Sequence, residues 1–332
     1  EPLMSIPSIS FSTLHRTASA LAALALLSGP ALAEWPKDKP IRVVVPYTAG
    51  GSGAVTFRTI QPHLEKALEA NFYVDNKAGA SGNIGVSEAV RAPADGYTLL
   101  LGATNNYVMN QFLFKLNFDP LTSLDPICGL ATFPTVIVVS ASSPYHTLAD
   151  FLDASRRTPG TATLAGIGPG SLVQVAFEML KRDVHSDMVF VPYPGPAGAV
   201  NALLGNQVTS YFGNYTDVSA HIASGQLRAL AVATPERIAS LPGVPTVAES
   251  IHKSYAVNGW FGLFAPAKTP SATGGQIGDW FKQAMQDNEV REKLQAAGLY
   301  PANSCGANFA ALIHRQSDLY GQVIQERHIT LN

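Results

Sequence analysis

The stretch VVVPYTAGGSGAVTFR, Val43 to Arg58, runs from apolar residues into Ala49-Gly50-Gly51-Ser52-Gly53 and then directly into a helical pattern. Consecutive valines suit a strand covered on both faces, and Phe57, Ile60, Leu64 and Leu68, spaced by three and four, give a helix one apolar face. A strand, a glycine loop and a helix N-terminus together present backbone N–H groups that have no partner within the helix. Such a place receives phosphate or carboxylate. Ser52 stands where a capping side chain is expected.

The same unit recurs outward from that stretch. FYVDN (72–76), YTLLLGA (97–103) and TVIVVSA (135–141) read as further strands. TATLAGIG (161–168), MVFVPY (188–193), QVTSYFG (207–213), LRALAVA (227–233) and GWFGLFAPA (259–267) follow. Helical patterns lie between them, around Val173 to Arg182 and Ala197 to Leu204, and two more close the chain. Strands made of Val, Ile and Leu and separated by helices indicate an α/β fold with mostly parallel sheets flanked by helices. About 300 residues sit at the upper edge of what one core supports, so two lobes are expected. The runs near 133–141 and 257–265 are the expected crossings. That gives a discontinuous first lobe, 35–133 plus 257–332, and a second lobe, 134–256.

Three further glycine clusters follow strands and precede helices. NKAGASGNIG has Gly79, Gly82 and Gly85 at intervals of three, which is not the dinucleotide spacing, and no acidic residue ends a following strand to hold a ribose. GIGPGS (166–171) and PYPGPAG (192–198) lie in the second half, and no phosphate-binding Gly-x-x-x-x-Gly-Lys-[Ser/Thr] loop occurs. Each loop taken alone is a tight strand-to-helix turn; two per lobe suggest that loops from both lobes face one cleft.

Composition excludes several classes. Charged residues make up 14% of the chain, the formal net charge is −2, and no basic run suggests nucleic acid. There is no nucleophile elbow around Ser52, Ser81 or Ser171, no His-Glu-x-x-His, and the eight histidines lack ligand spacing, with His63, His221 and His314 on helix surfaces. No catalytic residue, metal ligand or cofactor is therefore assigned. His15 and Arg16 precede the apolar run TASALAALALLSGPALA (17–33), which is too short to span a bilayer and ends in Ala-Leu-Ala. Residues 1–33 read as a cleavable signal peptide, the mature chain starting at about Glu34 in the periplasm. Cys128 and Cys305 are the only cysteines. Two buried free thiols are the default reading, and a disulfide requires that the fold bring them together.

The segments WPKDKPIRVVVPYTAGG, NKAGASGNIG, ADGYTLLLGAT, GPGSLVQVAFE and VPYPGPAGAVNALLGNQV resemble the extracytoplasmic solute receptors of tripartite tricarboxylate transporters, the Bug-type receptors. LRALAVATPERIASLPGVPTVAES followed by GWFGLFAPAKTP is the most specific combination, and the resemblance covers essentially the whole mature chain. It implies a two-lobed periplasmic binding protein of the type II, flytrap kind, acting as a monomer. Such a receptor closes on a carboxylated small molecule and hands it to a large and a small integral membrane subunit. The motifs carry over a ligand-binding role to Tyr47, Thr48, Ala49, Gly50, Gly51 and Ser52 in the first loop, and to Ala80, Ser81, Gly82 and Asn83 in the second. Thr104 and Asn105 match on the hinge side, and Gly168, Ser171, Gln174, Tyr193, Gly195 and Asn214 match in the other lobe.

Two positions depart from the family pattern. Ala54 stands where an aspartate is common, so an amine on the ligand would lack its acceptor. The resemblance then favours an aliphatic or aromatic mono- or dicarboxylate without an amine. Gln174 replaces a frequent histidine and removes a titrating group. Arg58 reads as tying the loop or an acidic neighbour rather than touching solute, and Tyr47 and Tyr193 as a pair able to sandwich a flat ligand. A sensing protein docked to a membrane histidine kinase would use the same fold and site. An exported hydrolase is the third class.

Overall fold

The structure, a computed structural model, describes residues 35–331. The expected signal peptide lies outside the described residues. Among the described residues, eleven strands form two sheets. In the first, β1 (Ile41–Val45) pairs in parallel with β2 (Phe72–Asn76) and β3 (Thr98–Ala103). Its other half is antiparallel, with β4 (Leu124–Phe133), β10 (Gly259–Pro266) and β11 (Tyr300–Cys305), in the order β11-β4-β10-β3-β1-β2. The second sheet has the order β7-β6-β8-β5-β9, built from β5 (Thr135–Ser140), β6 (Thr163–Ile167), β7 (Val189–Tyr193), β8 (Ser210–Asn214) and β9 (Leu227–Val232). Here β6 is parallel to β7 and β8, while β5 is antiparallel to β8 and β9.

The two-lobed α/β architecture is therefore present, with both sheets mixed. Strands β5 and β10 are mostly apolar and buried along nearly their whole length, and burial on both faces gives the same composition in either strand direction. The chain leaves the first sheet at Phe133 and enters the second at Thr135, and it returns between Ala233 and Gly259. Hydrogen bonds tie these crossings together: Ala233 N–H donates to the Thr135 carbonyl at 2.8 Å, and Val257 N–H to the Ala233 carbonyl at 2.7 Å. The Thr135 hydroxyl donates to the Val257 carbonyl at 2.8 Å.

Helix Ser52–Leu68 buries Phe57, Ile60 and Leu64 against the first sheet, the face its spacing indicates. Its N-cap is Gly51, not Ser52; no side chain caps it, and its first turn holds no acidic residue. Ser52 Oγ falls one residue late for capping. Helix Asn83–Val90 follows the second glycine loop with Gly82, at φ 92°, as its N-cap and again no side-chain cap. Gly85 in its first turn allows close packing, since a Cβ there would lie 2.8 Å from Pro46 Cα.

The cysteines correct the default reading: Cys128 on β4 and Cys305 on β11 stand opposite each other and form a disulfide. Helix Ala307–Glu326, which follows Cys305, packs on helix Leu172–Val184 of the second lobe. Ion pairs join their ends, Arg182 to Glu326 at 3.9 Å and Arg327 to Glu178 at 3.8 Å.

Candidate ligand-binding cleft

A cleft of about 540 Å³ opens where the first-sheet loops meet the second lobe. The loop after β1 contributes Pro46, Tyr47, Thr48, Gly51, Ser52 and Gly53, and the loop after β2 contributes Ala78, Gly79, Ser81 and Gly82. Ala103 and Asn105 follow β3, Phe133 and Phe261 rise from the strands at the crossings, and Asn214 ends β8. The lining holds no Lys, Arg, His, Asp or Glu, so backbone N–H groups and neutral side chains supply its polarity.

Local hydrogen bonds fix both glycine loops. The Tyr47 carbonyl accepts from Asn76 Nδ2 at 2.9 Å, and Asn106 Nδ2 donates to the Tyr47 hydroxyl at 3.1 Å. Asn106 is itself anchored, its Oδ1 accepting from Ala103 N–H at 2.9 Å. Burial pushes the Tyr47 hydroxyl well above the usual tyrosine range, so it stays protonated. In the second loop Ala80 (φ 48°) and Ser81 (φ 55°) precede Gly82 in left-handed backbone. Two such non-glycine residues in succession cost about 1–3 kcal/mol each, so the surrounding contacts must hold the loop in place. Asn110 Nδ2 does so, donating to the Ser81 carbonyl at 3.1 Å and to Asn83 Oδ1 at 2.7 Å.

The N-caps of two helices without side-chain caps, Gly51 and Gly82, thus both line one cleft whose lining carries no charged side chain, and a helix N-terminus carries partial positive charge. A third helix, Tyr215–Ala223, begins at Asn214, but its first turn carries Asp217. The Asp217 carboxylate accepts from Asn214 N–H at 3.2 Å and from the Tyr211 hydroxyl at 2.7 Å. Burial holds its pKa above the ordinary carboxylate range despite those two donors.

Of the residues expected to bind ligand, Tyr47, Thr48, Gly51, Ser52, Ser81, Gly82, Asn105 and Asn214 come together in the cleft. Ala49 and Gly50 are the exposed tip of the first loop, and Ala80 faces a shallow outer groove beside Ile84 and Phe114. Asn83 is buried on Asn110, and Thr104 is fully buried with its hydroxyl accepting from Trp260 N–H at 2.9 Å. Gly168, Ser171, Gln174, Tyr193 and Gly195 stand outside the lining. They nevertheless sit on the cleft edge of the second sheet. Parallel pairing of Ile167 with Tyr193 and of Leu164 with Ser210 puts the C-terminal ends of β6, β7 and β8 on one side, where Asn214 is found.

Three side chains differ from their expected roles. Ala54 is fully buried in the first-lobe core rather than facing the cleft. Arg58 is exposed, lies outside the lining, and makes no ion pair with a described acidic residue. Gln174 Oε1 accepts from Gly170 N–H at 2.8 Å, within its own loop.

The aromatic pair Phe133 and Phe261 was not singled out from sequence, although both lie in the runs expected to cross between lobes. Their ring centroids are 4.9 Å apart, and Phe261 meets the Tyr47 ring edge-on at 6.5 Å. Another groove, about 500 Å³, runs between helices Ser52–Leu68 and Asn288–Ala296. Lys66, Lys293, Asp287 and Glu289 line it, a solvated surface of mixed sign remote from both glycine loops.

Comparison with known proteins agrees with the two-lobed fold. The family profile described as Tripartite tricarboxylate transporter family receptor matches residues 56–329. The protein BugT of Bordetella pertussis is 28% identical over 92% of this chain and 94% of its own. A TctC solute binding protein from Polaromonas superposes with a TM-score of 0.79 at 28% identity, covering 88% of this chain and 99% of that one. R. palustris Rpa4515 with adipate gives 0.75 at 26% identity, covering 89% and 99%.

Proposed function

The chain belongs to the tripartite tricarboxylate transporter receptor family, and from that premise we propose that it captures a carboxylated small molecule lacking an amine and delivers it to a two-subunit membrane transporter. The observation that carries this reading is the pair of uncapped helix N-termini opening on one cleft without a charged side chain. A carboxylate gains about 0.3–1 kcal/mol from each helix end when exposed and up to about 2 when partly buried. Charge-assisted hydrogen bonds from Ser52, Ser81, Asn105 and loop N–H groups add to that, enough for a micromolar complex of about 8 kcal/mol. An ammonium group on the ligand would find no carboxylate in the lining, which supports the amine-free class independently of Ala54. Adipate in the related R. palustris receptor is a ligand of the proposed kind.

Capture requires the lobes, 35–133 with 257–332 and 134–256, to close about the crossings at Pro134 and near Val257. Closure would bring Gly168, Ser171, Tyr193 and Gly195 against the solute from the edge they share with Asn214. Only the closed form need be recognised by the membrane subunits. The periplasm, reached by the N-terminal signal, is the compartment in which this delivery takes place.

A thermal-shift screen of residues 34–332 against carboxylates, amino acids and nucleotides tests the reading. At 100 times its dissociation constant a ligand adds about 2.7 kcal/mol, enough to raise the midpoint by several degrees. Amine-free acids should produce that shift. A shift with amino acids or nucleotides alone would overturn the proposed class.

Affinity should also be flat between about pH 6 and 8. The lining has no histidine, and the one lining hydroxyl with a displaced pKa, that of Tyr47, is displaced upward and stays protonated across that window. Calorimetric titrations at three pH values check this; a tenfold change would require a titrating group at the ligand.

A further inference from the structure

The cleft is chemically lopsided, and this deepens the carboxylate reading on which it rests. Its receptive end is the first lobe, where neither helix end carries a side-chain cap or an acidic first turn. Two helix starts at the opposite end are already satisfied by the chain itself. The helix beginning at Asn214 is closed by Asp217, which holds Asn214 N–H and the Tyr211 hydroxyl. The helix beginning at Leu172 is closed by Ser171 Oγ, which accepts from Gln174 N–H at 3.2 Å, and by Gln174 Oε1 on Gly170 N–H. The remaining second-lobe helix at this edge starts at Pro196 after Gly195 and has no side-chain cap either; Pro196 itself has no N–H, and the helix lies outside the lining. A second anion would meet a fixed carboxylate at one helix end and no cation anywhere in the cleft.

Between the two ends lies an aromatic floor whose position is set by missing side chains. A Cβ on Gly259 would come 1.7 Å from the Phe133 ring, and one on Gly53 would come 3.3 Å from Phe261. These glycines let the two rings lie where they do, on strands adjoining the crossings, so lobe motion leaves the floor in place. Phe261 is 6% exposed, and the ring faces neither donate nor accept conventional hydrogen bonds. A hydroxyl or second carboxylate set over the rings would lose water there and gain no partner from the ring faces.

We infer that the solute is a monocarboxylate with an unsubstituted apolar body, best an aromatic ring, its anion at the glycine loops and its body on Phe133 and Phe261. The discriminating experiment is calorimetry on residues 34–332 with four probes: benzoate, terephthalate, malate and benzamide. Benzoate should bind at least about tenfold more tightly than terephthalate, which adds a carboxylate, and than malate, which replaces the ring by polar groups. The Phe133→Leu variant, which keeps the floor apolar, should reduce the benzoate-to-malate affinity ratio by about threefold or more. Terephthalate or malate binding as tightly as benzoate would overturn the inference and leave the carboxylate reading standing, as would an unchanged ratio in the variant. Benzamide matching benzoate, or none of the acids binding, would instead overturn the carboxylate reading itself.

Discussion

Replacing Gly82 by valine should lower carboxylate affinity by about 100-fold, equivalent to about 2.7 kcal/mol, while the protein still folds. Gly82 adopts φ 92°, which a β-branched residue enters only with strain, and its Cβ would lie 2.7 Å from Asn106 Nδ2. Asn106 cannot retreat freely, because its amide holds both Ala103 N–H and the Tyr47 hydroxyl. Displacing it therefore disturbs the first glycine loop as well as the second. Gly225→Ala is the control, since that glycine also has positive φ but no atom within 4 Å of its would-be Cβ. It should cost about 1 kcal/mol of stability and no affinity. Calorimetry on both variants separates the outcomes, and equal affinities would mean that the second loop does not touch ligand.

Removing the Cys128–Cys305 bond should lower stability by about 2–5 kcal/mol, the range for native disulfides, with long loops at its upper end. The bond joins residues 177 apart in sequence and fastens β11, an edge strand of the first sheet, to β4. Unfolding midpoints in denaturant, with and without reductant and for a Cys128→Ser/Cys305→Ser double variant, measure this. Neither cysteine lines the ligand cleft, so affinity should be retained. Identical midpoints would show that the strand pair holds without the bond.

How far the sequence reveals this molecule depends on which forces act locally. Strands such as Ile41–Val45 and Thr135–Ser140 are mostly apolar, and the helix face of Phe57, Ile60 and Leu64 is periodic, so both are visible residue by residue. By contrast, β4 (LDPICGLATF) and β11 (YPANSC) contain Pro, Gly, Asp and Asn, which favour turns. They are strands because β10 and the disulfide supply partners more than 100 residues away. The glycine loops were legible for the same reason as the helices: a positive φ or an uncapped helix start leaves a mark in local sequence. The Phe133–Phe261 floor was not, since a phenylalanine in an apolar strand carries no sign of whether it faces core or cleft. Ser52 shows the limit of capping rules, because a one-residue shift of the helix start to Gly51 turns a presumed cap into a cleft-facing hydroxyl.

The central claim is that an anion is held by backbone N–H groups at two helix ends, without a cationic side chain. Amide nitrogen–proton correlation spectra of residues 34–332, recorded while benzoate is titrated in, report on those groups one at a time. The largest shifts should fall on Ser52, Gly53 and Ser81, with the histidine and arginine side-chain signals unmoved. Shifts concentrated instead at His63, Lys66 and Lys293, in the charged groove between the helices, would contradict the claim.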